Sequence, residues 1–179
     1  MQPPTTTEQA LIKQAQGGDA AAFEALLNKY YNTIYRFAYR WCGNATEAED
    51  IAQNACIKLA ASIKSFRFES AFSSWLYRLV INCAKDWARS QKHFQNQVEP
   101  VETEEPNYSP QPEHNVLLTQ ILKLLGELAE GFKEAVLLVH GEGLTHAEAA
   151  NVLQIKESTV SWRLHEVRKH LQLLNLQEP

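Results

Sequence analysis

The chain is 179 residues long, with 45% hydrophobic and 21% charged residues, a balance typical of folded globular proteins and not of disordered chains. Its apolar runs are far shorter than the ~20 residues of a membrane-spanning helix, and its first residues lack the basic and apolar parts of a signal peptide. We therefore expect no membrane insertion and a cytoplasmic location, while the net charge of −4 does not by itself favour a nucleic-acid partner.

The charge is unevenly distributed along the chain. Residues 1–97 hold eleven Lys or Arg and eight Asp or Glu, a net charge of +3. Residues 98–116 hold five Glu and no Lys or Arg, and residues 117–179 hold six basic and eight acidic residues. A basic first part is therefore masked in the total by an acidic middle segment, so a nucleic-acid partner is not excluded.

The cysteines give no sign of a metal site or a disulfide framework. Cys42, Cys56 and Cys83 are odd in number, widely spaced and set within helical patterns, without a CxxC pair. We predict that they are small core residues in a reducing compartment. The sequence also shows no nucleophile–base pair and no phosphate-binding glycine loop, so we expect neither an enzyme nor a cofactor.

Hydrophobic spacing is helical nearly throughout, and Gly and Pro occur at only a few joints, which predicts an all-α fold. In the first part, predicted helices run from Thr7 to Gln16, from an N-cap at Asp19 to Gly43, and from Thr46 to about Lys64. Thr46 and Glu49 have the spacing of a capping box, which makes Thr46 the predicted N-cap of the third helix.

A fourth helix, predicted from about Ala71 to Lys92, carries two stripes. One is a core face formed by Phe72, Leu76, Leu79, Val80 and Cys83. The other, about a third of a turn away, combines an indole, an amide and three cations, namely Trp75, Arg78, Asn82, Lys85 and Arg89. Cations beside aromatic and amide groups suit a nucleic acid with exposed bases. A solvated face with a buried Trp is the alternative from these residues alone.

Residues 93–116 contain four Pro and the five Glu of the acidic segment, a composition typical of a linker that buries little apolar surface. We therefore predict two small helical domains, residues 1–95 and residues 115–179, joined by a flexible acidic linker over residues 96–114.

The second domain is predicted to contain a helix-turn-helix, a short helix joined by a three-residue turn to a longer one. Its predicted helices are 117–128, Phe132 to His140, a helix capped by Thr145 that ends at Leu153, and Glu157 to about Leu174.

On the last helix, Trp162 lies opposite the core stripe, on a face shared with Ser158, Ser161, His165 and Lys169. An exposed Trp indicates a contact surface, which in a helix-turn-helix is the surface that enters the major groove. Packing of Trp162 on another part of the chain or on a protein partner is the alternative.

The third predicted helix has an apolar residue, Ile57, on its outer side, flanked by Asp50 and Gln53. This pattern is typical of a face for a partner helix, with an incidental surface Ile as the alternative.

Four segments resemble, in order, those of a known family: residues 47–54 (EAEDIAQN), 70–82 (SAFSSWLYRLVIN), 143–150 (GLTHAEAA) and 158–165 (STVSWRLH). On these segments the chain resembles a bacterial RNA polymerase sigma factor of the small, two-domain extracytoplasmic function (ECF) group of the sigma-70 family. The resemblance covers about nine-tenths of the chain. It implies a sigma region 2 domain, a linker that enters the active-centre cleft of the polymerase, and a sigma region 4 domain.

The resemblance also implies three binding surfaces. Docking on the polymerase core would use Glu49, Asp50, Gln53, Asn54 and Ile57. The minus-ten promoter element, where DNA is melted and a base is flipped, would be bound by Phe66, Arg67, Phe68, Ser70, Trp75, Arg78, Asn82, Lys85 and Arg89. The minus-thirty-five element would be read by Ser158, Thr159, Ser161, Trp162, Arg163, His165 and Lys169.

Within the minus-ten set, the resemblance implies that the loop aromatics and Asn82 contact bases. It implies that Arg78, Lys85 and Arg89 bind phosphates. The implied partners are the RNA polymerase core, through its beta-prime clamp and beta flap, promoter DNA, and an anti-sigma factor.

The chain departs from the family pattern in the second domain. Gln154 stands where the family usually has Gly at the tight turn, and a left-handed backbone there would cost ~1 kcal/mol. The segment 129–131 (AEG) stands where Pro is common. The recognition face is less basic than usual and carries Trp162 and Glu166, so the promoter sequence is not predicted.

Two other functions remain open from the sequence. A sigma-like decoy would titrate an anti-sigma factor without directing transcription, and it would not need the line of DNA-facing residues on the fourth helix. A stand-alone helix-turn-helix regulator would not need the first domain or its docking face.

Overall fold

The computed structural model describes residues 6–97 and 129–175. Its helices are α1 (Thr6–Gln16), α2 (Ala20–Cys42), α3 (Ala45–Ser62), α4 (Phe72–Gln97), α5 (Phe132–Val136), α6 (His146–Leu153) and α7 (Glu157–Asn175). A 3₁₀ turn at Ile63–Ser65 follows α3, and a π-helical turn at Leu137–Gly141 follows α5. The described residues contain no strand, and the predicted all-α class is confirmed. The predicted helix over residues 117–128 and the linker after residue 97 lie outside the described residues.

Helices α1–α4 form a bundle in which α2 packs against the other three and α3 packs against α4. The bundle buries the apolar stripes of its helices, including Leu26 and Phe37 of α2, Ile51 and Leu59 of α3, and the predicted stripe residue Phe72 of α4. Each of these side chains is at most 1% exposed, so the hydrophobic effect fixes which face of every helix points inward.

Most predicted helix ends in the bundle are confirmed, but the start of α3 is not. Asp19 caps α2 by accepting a hydrogen bond from the Ala22 N–H at 3.0 Å. Asn44, and not Thr46, caps α3, since its side chain accepts a hydrogen bond from the Glu47 N–H at 3.2 Å. Asn is among the strongest N-cap residues, and because it comes first it starts the helix two residues earlier than Thr46 would.

Helix α4 continues to Gln97, beyond its predicted end near Lys92. Residues 93–97 contain neither Gly nor Pro, so nothing in the local sequence ends the helix earlier. The first two residues of the predicted linker are therefore helical. The division into two domains and a linker stays a prediction.

Helices α5–α7 form the predicted helix-turn-helix. The capping box that opens α6 is present, with the Thr145 N–H donating to the Glu148 carboxylate at 2.8 Å and the Glu148 N–H donating to Thr145 Oγ1 at 3.2 Å. Gln154 ends α6 in the left-handed conformation, with φ 55°. The core of this unit is formed by Leu138, Ala149, Val152, Val160, Leu164 and Val167.

Candidate nucleic-acid interface

An open groove of about 630 Å³ runs along α4 beside the end of α3. Four of the five residues of the second α4 stripe line it, namely Trp75, Arg78, Asn82 and Arg89. The opposite wall contributes Lys58, Ser62 and Ser65. The groove thus brings an indole, an amide and several cations onto one concave surface, as the helical spacing of α4 predicts.

An aromatic cluster packs beneath one end of the groove. The Phe66 ring centroid lies 5.2 Å from that of Phe72 and 5.6 Å from that of Trp75. Phe66 is only 4% exposed, so this member of the predicted minus-ten set is a core residue and presents no ring face to a base. Burial of a phenyl ring stabilises a fold by ~1.5–3 kcal/mol, which holds Phe66 inside. Trp75 is half-buried: its ring packs on the cluster and still lines the groove.

Three members of the predicted minus-ten set are accessible in the loop before α4. Arg67 and Ser70 are exposed, and Phe68 is half-buried beneath the Lys13 ammonium, which lies 5.7 Å from its ring centroid. Phe68 has φ 61°, a left-handed conformation that costs a non-glycine residue ~1–2 kcal/mol. Backbone strain of this kind clusters at binding sites, where the surrounding structure maintains it.

Asn82 and Arg89 are exposed on the groove wall. Arg89 lies 3.3 Å from the Asp86 carboxylate, which also pairs with Lys58 at 2.7 Å. The hydrogen bond from Lys58 to Asp86 raises the pKa of Lys58, so its ammonium stays charged. Exposed ion pairs contribute little stability, so a phosphate group can replace Asp86 at low cost. The sequence prediction missed both Lys58 and Asp86. Lys58 lies on the neighbouring helix, so the spacing of α4 could not place it beside Asp86.

Two predicted phosphate-binding cations already have protein partners. The Arg78 guanidinium donates to the backbone carbonyls of Asn151, at 2.9 Å, and Val152, at 3.2 Å, near the end of α6. The Lys85 ammonium lies 2.8 Å from the carboxylates of both Glu130 and Glu134. Protein oxygens therefore engage both cations in this arrangement, and Lys85 does not line the groove. Helical spacing assigns a residue to a face but does not reveal what covers that face.

Helix α7 presents the predicted recognition face. Trp162 is 54% exposed, although its ring also contacts Phe132 with centroids 5.4 Å apart. The other exposed members of the set are Ser158, Ser161, His165 and Lys169. Thr159 is half-buried. Arg163 is also half-buried, and it donates to the Gly131 carbonyl at 3.2 Å, so it holds α7 against the start of α5.

Two contacts fix the position of α7. The Arg163 guanidinium fills the space beside Gly131, where an added Cβ would lie 2.2 Å from it, and Gly131 has φ 97°. His146 Nδ1 lies 2.8 Å from Ser161 Oγ, which joins α6 to α7. These contacts hold the recognition face in a defined orientation relative to α5 and α6.

The outer face of α3 forms a third surface. Ile57 is 67% exposed, and the other four residues of the predicted docking set, Glu49, Asp50, Gln53 and Asn54, are exposed as well. The fold therefore brings all five onto one accessible helix face with an apolar residue at one end.

Comparisons with known proteins identify the family of this chain. Residues 26–94 match the Sigma-70 region 2 family, and residues 118–171 match the Sigma-70 region 4 family. The chain is 33% identical to an RNA polymerase sigma-H factor of Pseudomonas aeruginosa (90% of each chain). It is 32% identical to the ECF RNA polymerase sigma factor SigW of Bacillus subtilis, over 89% of this chain and 92% of SigW. The chain belongs to the ECF group of sigma-70 family sigma factors.

Solved structures agree with this sigma-factor fold. CnrH in complex with the cytosolic domain of CnrY superposes with a TM-score of 0.70 at 21% identity, over 95% of this chain and 97% of CnrH. The sigma factor RpoE of Bartonella quintana, in complex with the anti-sigma factor NepR, gives 0.62 at 22% identity, over 88% and 98% of the two chains.

In this sigma factor a buried carboxylate joins the two matched regions. Glu142 follows the π-helical turn, and its side chain is 1% exposed. It pairs with Arg36 and Arg40 of α2, each at 2.6 Å, and accepts a hydrogen bond from Tyr77 of α4 at 2.8 Å. Burial raises the pKa of this carboxyl, but hydrogen bonds from Arg36 and Tyr77 outweigh it, so the pKa lies below its ordinary value.

A second contact between the matched regions lies nearby. The Lys133 ammonium of α5 sits 5.0 Å from the ring centroid of Trp41 on α2, a cation–π arrangement. Burial lowers the pKa of Lys133. No pattern in the sequence signals either contact, because the paired residues lie 65 to 106 positions apart.

The part of the chain that the structure describes has no helix of sufficient length and apolarity to cross a membrane. Within the same residues, no three His, Cys, Asp or Glu side chains lie together in a way that would hold a metal ion.

Proposed function

We propose that this sigma factor binds the RNA polymerase core and directs it to promoters through their minus-ten and minus-thirty-five elements. The observation that carries the proposal is the groove along α4, where Trp75, Asn82 and Arg89 share one concave, cation-lined surface. Accessible surfaces on α3 and α7 support it, since a sigma factor needs a docking face and a second DNA contact as well.

In the groove, phosphate and base contacts divide between different side chains. Arg89 and Lys58 bind phosphates, which position the DNA and make binding salt-dependent. The Asn82 amide binds a base edge, and the Trp75 ring supports an unstacked base. Stacking on an aromatic ring is worth ~1–3 kcal/mol per base, which offsets part of the unstacking energy that melting requires.

At the minus-thirty-five element, α7 lies in the major groove. The Trp162 indole contacts thymine methyl groups, and the Glu166 carboxylate accepts a hydrogen bond from cytosine N4. Lys169 binds a phosphate. This face reads sequence mainly by shape and apolar contact, because few of its side chains are basic.

The outer face of α3, with Ile57 at one end, docks on the beta-prime clamp of the polymerase, and residues 115–179 contact the beta flap. Docking supplies much of the binding energy, so the isolated chain binds promoter DNA weakly. An anti-sigma factor is a further partner, by analogy with the NepR complex of the Bartonella quintana sigma factor.

Run-off transcription tests the proposal. The native chain, Asn82→Ala and a matched control, Gln91→Ala, are each added to core polymerase with templates that differ at single minus-ten positions. Gln91 is exposed on α4, half a turn from Asn82 at ~100° per residue. We expect Asn82→Ala to lower transcription ~10–100-fold and to lose discrimination at one position, with core binding unchanged, because a base contact is worth ~1–3 kcal/mol.

Equal loss on all templates would remove the base-specific role of Asn82, and no transcript with the native chain from any promoter would contradict the proposed function. The latter result, with tight core or anti-sigma binding, would favour the sigma-like decoy. One observation favours that second candidate: Arg78 and Lys85 are engaged by protein groups in the same chain.

A further inference from the structure

We propose that this sigma factor has an internal closed state, in which its region 4 unit covers the DNA-binding side of α4, and that Glu142 is the latch of that state. The inference rests on the proposed DNA-binding role of the groove. It adds a regulatory step that precedes binding of DNA or of any protein partner.

The first argument is chemical competition. Arg78 donates to two α6 carbonyl oxygens, and Lys85 lies between the carboxylates of Glu130 and Glu134. Carboxylate and carbonyl oxygens are the same class of acceptor as phosphate oxygens. A DNA strand along α4 must therefore replace these acceptors, so closure and full phosphate binding exclude each other at Arg78 and Lys85.

The second argument is steric. A second cavity, between the loop before α4 and the end of α6, is lined by Ser70 and Arg78 on one side and by Asn151 and Gln154 on the other. Ser70 and Arg78 are two of the predicted minus-ten residues. The end of α6 thus lies opposite Ser70 and Arg78, where it would compete for space with a DNA strand that contacts them.

The third argument concerns the latch. Glu142 has the most completely buried carboxylate of the contacts between the units, with 1% exposure against 4% for Glu134 and 78% for Glu130. Its partners Arg36, Arg40 and Tyr77 come from α2 and α4, so one side chain contacts both helices. Because Glu142 belongs to neither α6 nor α7, its substitution leaves the recognition helix unchanged.

The energetic requirement for a switch is modest. A contact surface that contains several ion pairs and hydrogen bonds is more polar than a permanent interface and resembles a transient one, which opens and closes. If the open state is a minor population, the apparent dissociation constant for DNA is larger than the intrinsic one by the reciprocal of that population. Release of the latch then tightens DNA binding without any change in the groove itself.

The test compares the full-length native chain, Glu142→Gln and the matched control Glu24→Gln, which changes the charge equally at an exposed position on α2. Small-angle scattering measures the radius of gyration, and a fluorescein-labelled oligothymidylate measures non-specific DNA binding without polymerase. We expect Glu142→Gln to expand the chain and tighten oligothymidylate binding ~5–10-fold, with Glu24→Gln like the native chain.

A charge-swap pair distinguishes loss of the Glu142 contact from a folding defect. Glu142→Arg opens the chain by repulsion from Arg36 and Arg40, and the added substitution Arg36→Glu restores the compact radius and the weaker binding. A Glu142→Gln chain that stays as compact as the control would overturn the closed state. An expanded chain that binds oligothymidylate no more tightly would overturn the gating role. Neither result affects run-off transcription with core polymerase, which tests the proposed function separately.

Discussion

At the scale of single residues, the aromatic side chains beside α4 show how burial changes a predicted role. Phe66 and Trp75 both belong to an aromatic pattern that suggests base stacking. Phe66 is 4% exposed and stabilises the core, whereas Trp75 packs on that core with part of its ring and leaves the rest in the groove. Both rings pack against Phe72, with centroids 5.2 and 5.6 Å away, and the extent of burial is what separates them.

Gln154 carries a backbone cost that a single substitution removes. Its φ of 55° is left-handed, where glycine has no steric penalty. We expect Gln154→Gly to stabilise the chain by ~0.5–1 kcal/mol in urea unfolding followed by circular dichroism, because the strain of a Cβ is relieved. Gln154→Ala is the matched control, since it keeps the Cβ and should give no such gain. A gain with Ala as large as with Gly would locate the effect in the side chain and not in the backbone.

At the scale of secondary structure, the helix ends depend on which residue first satisfies the free N–H groups. Both Asn44 and Thr46 suit an N-cap, and the capping-box spacing of Thr46 and Glu49 favours the later start. Asn44 is the cap: its side chain accepts a hydrogen bond from the Glu47 N–H, and α3 therefore begins at Ala45. This choice moves no residue of the docking face, so the predicted surface survives the corrected boundary.

The two candidate caps make a direct comparison. Asn44→Ala should lower the free energy of unfolding by ~1 kcal/mol, the usual cost of losing an N-cap. Thr46→Ala removes an exposed side chain in the first turn and should change it by less than ~0.5 kcal/mol. Thermal unfolding of both variants measures the difference. The reverse order would restore Thr46 as the cap.

At the scale of the whole molecule, the closed arrangement depends on charges. Glu142 is held between two guanidinium groups and a phenol, and the pKa of its carboxyl is lowered in the folded chain. A lowered folded pKa means that the unfolded carboxyl takes up a proton first as the pH falls. The stabilisation is therefore complete above the ordinary pKa of 4.5 and is lost as the pH falls through the folded value.

Thermal unfolding as a function of pH tests this linkage. The native chain should unfold at a higher temperature than Glu142→Gln at about pH 7, and the gap should close below about pH 4.5, because the protonated carboxyl no longer pairs with Arg36 and Arg40. Taking the difference between the two chains cancels the titration of the other acids. A gap that does not depend on pH would show that the charge of Glu142 contributes nothing to stability.

Residue spacing within single helices was enough to predict the helical class, most helix ends and the buried stripe of α4. The sequence also carried the resemblance that family membership confirms. Helix packing is needed to show that Phe66 is buried, that protein oxygens engage Arg78 and Lys85, and that Glu142 pairs with Arg36, 106 residues away. Periodicity orients a side chain relative to its own helix, whereas burial and charge pairing depend on groups that are distant in the chain.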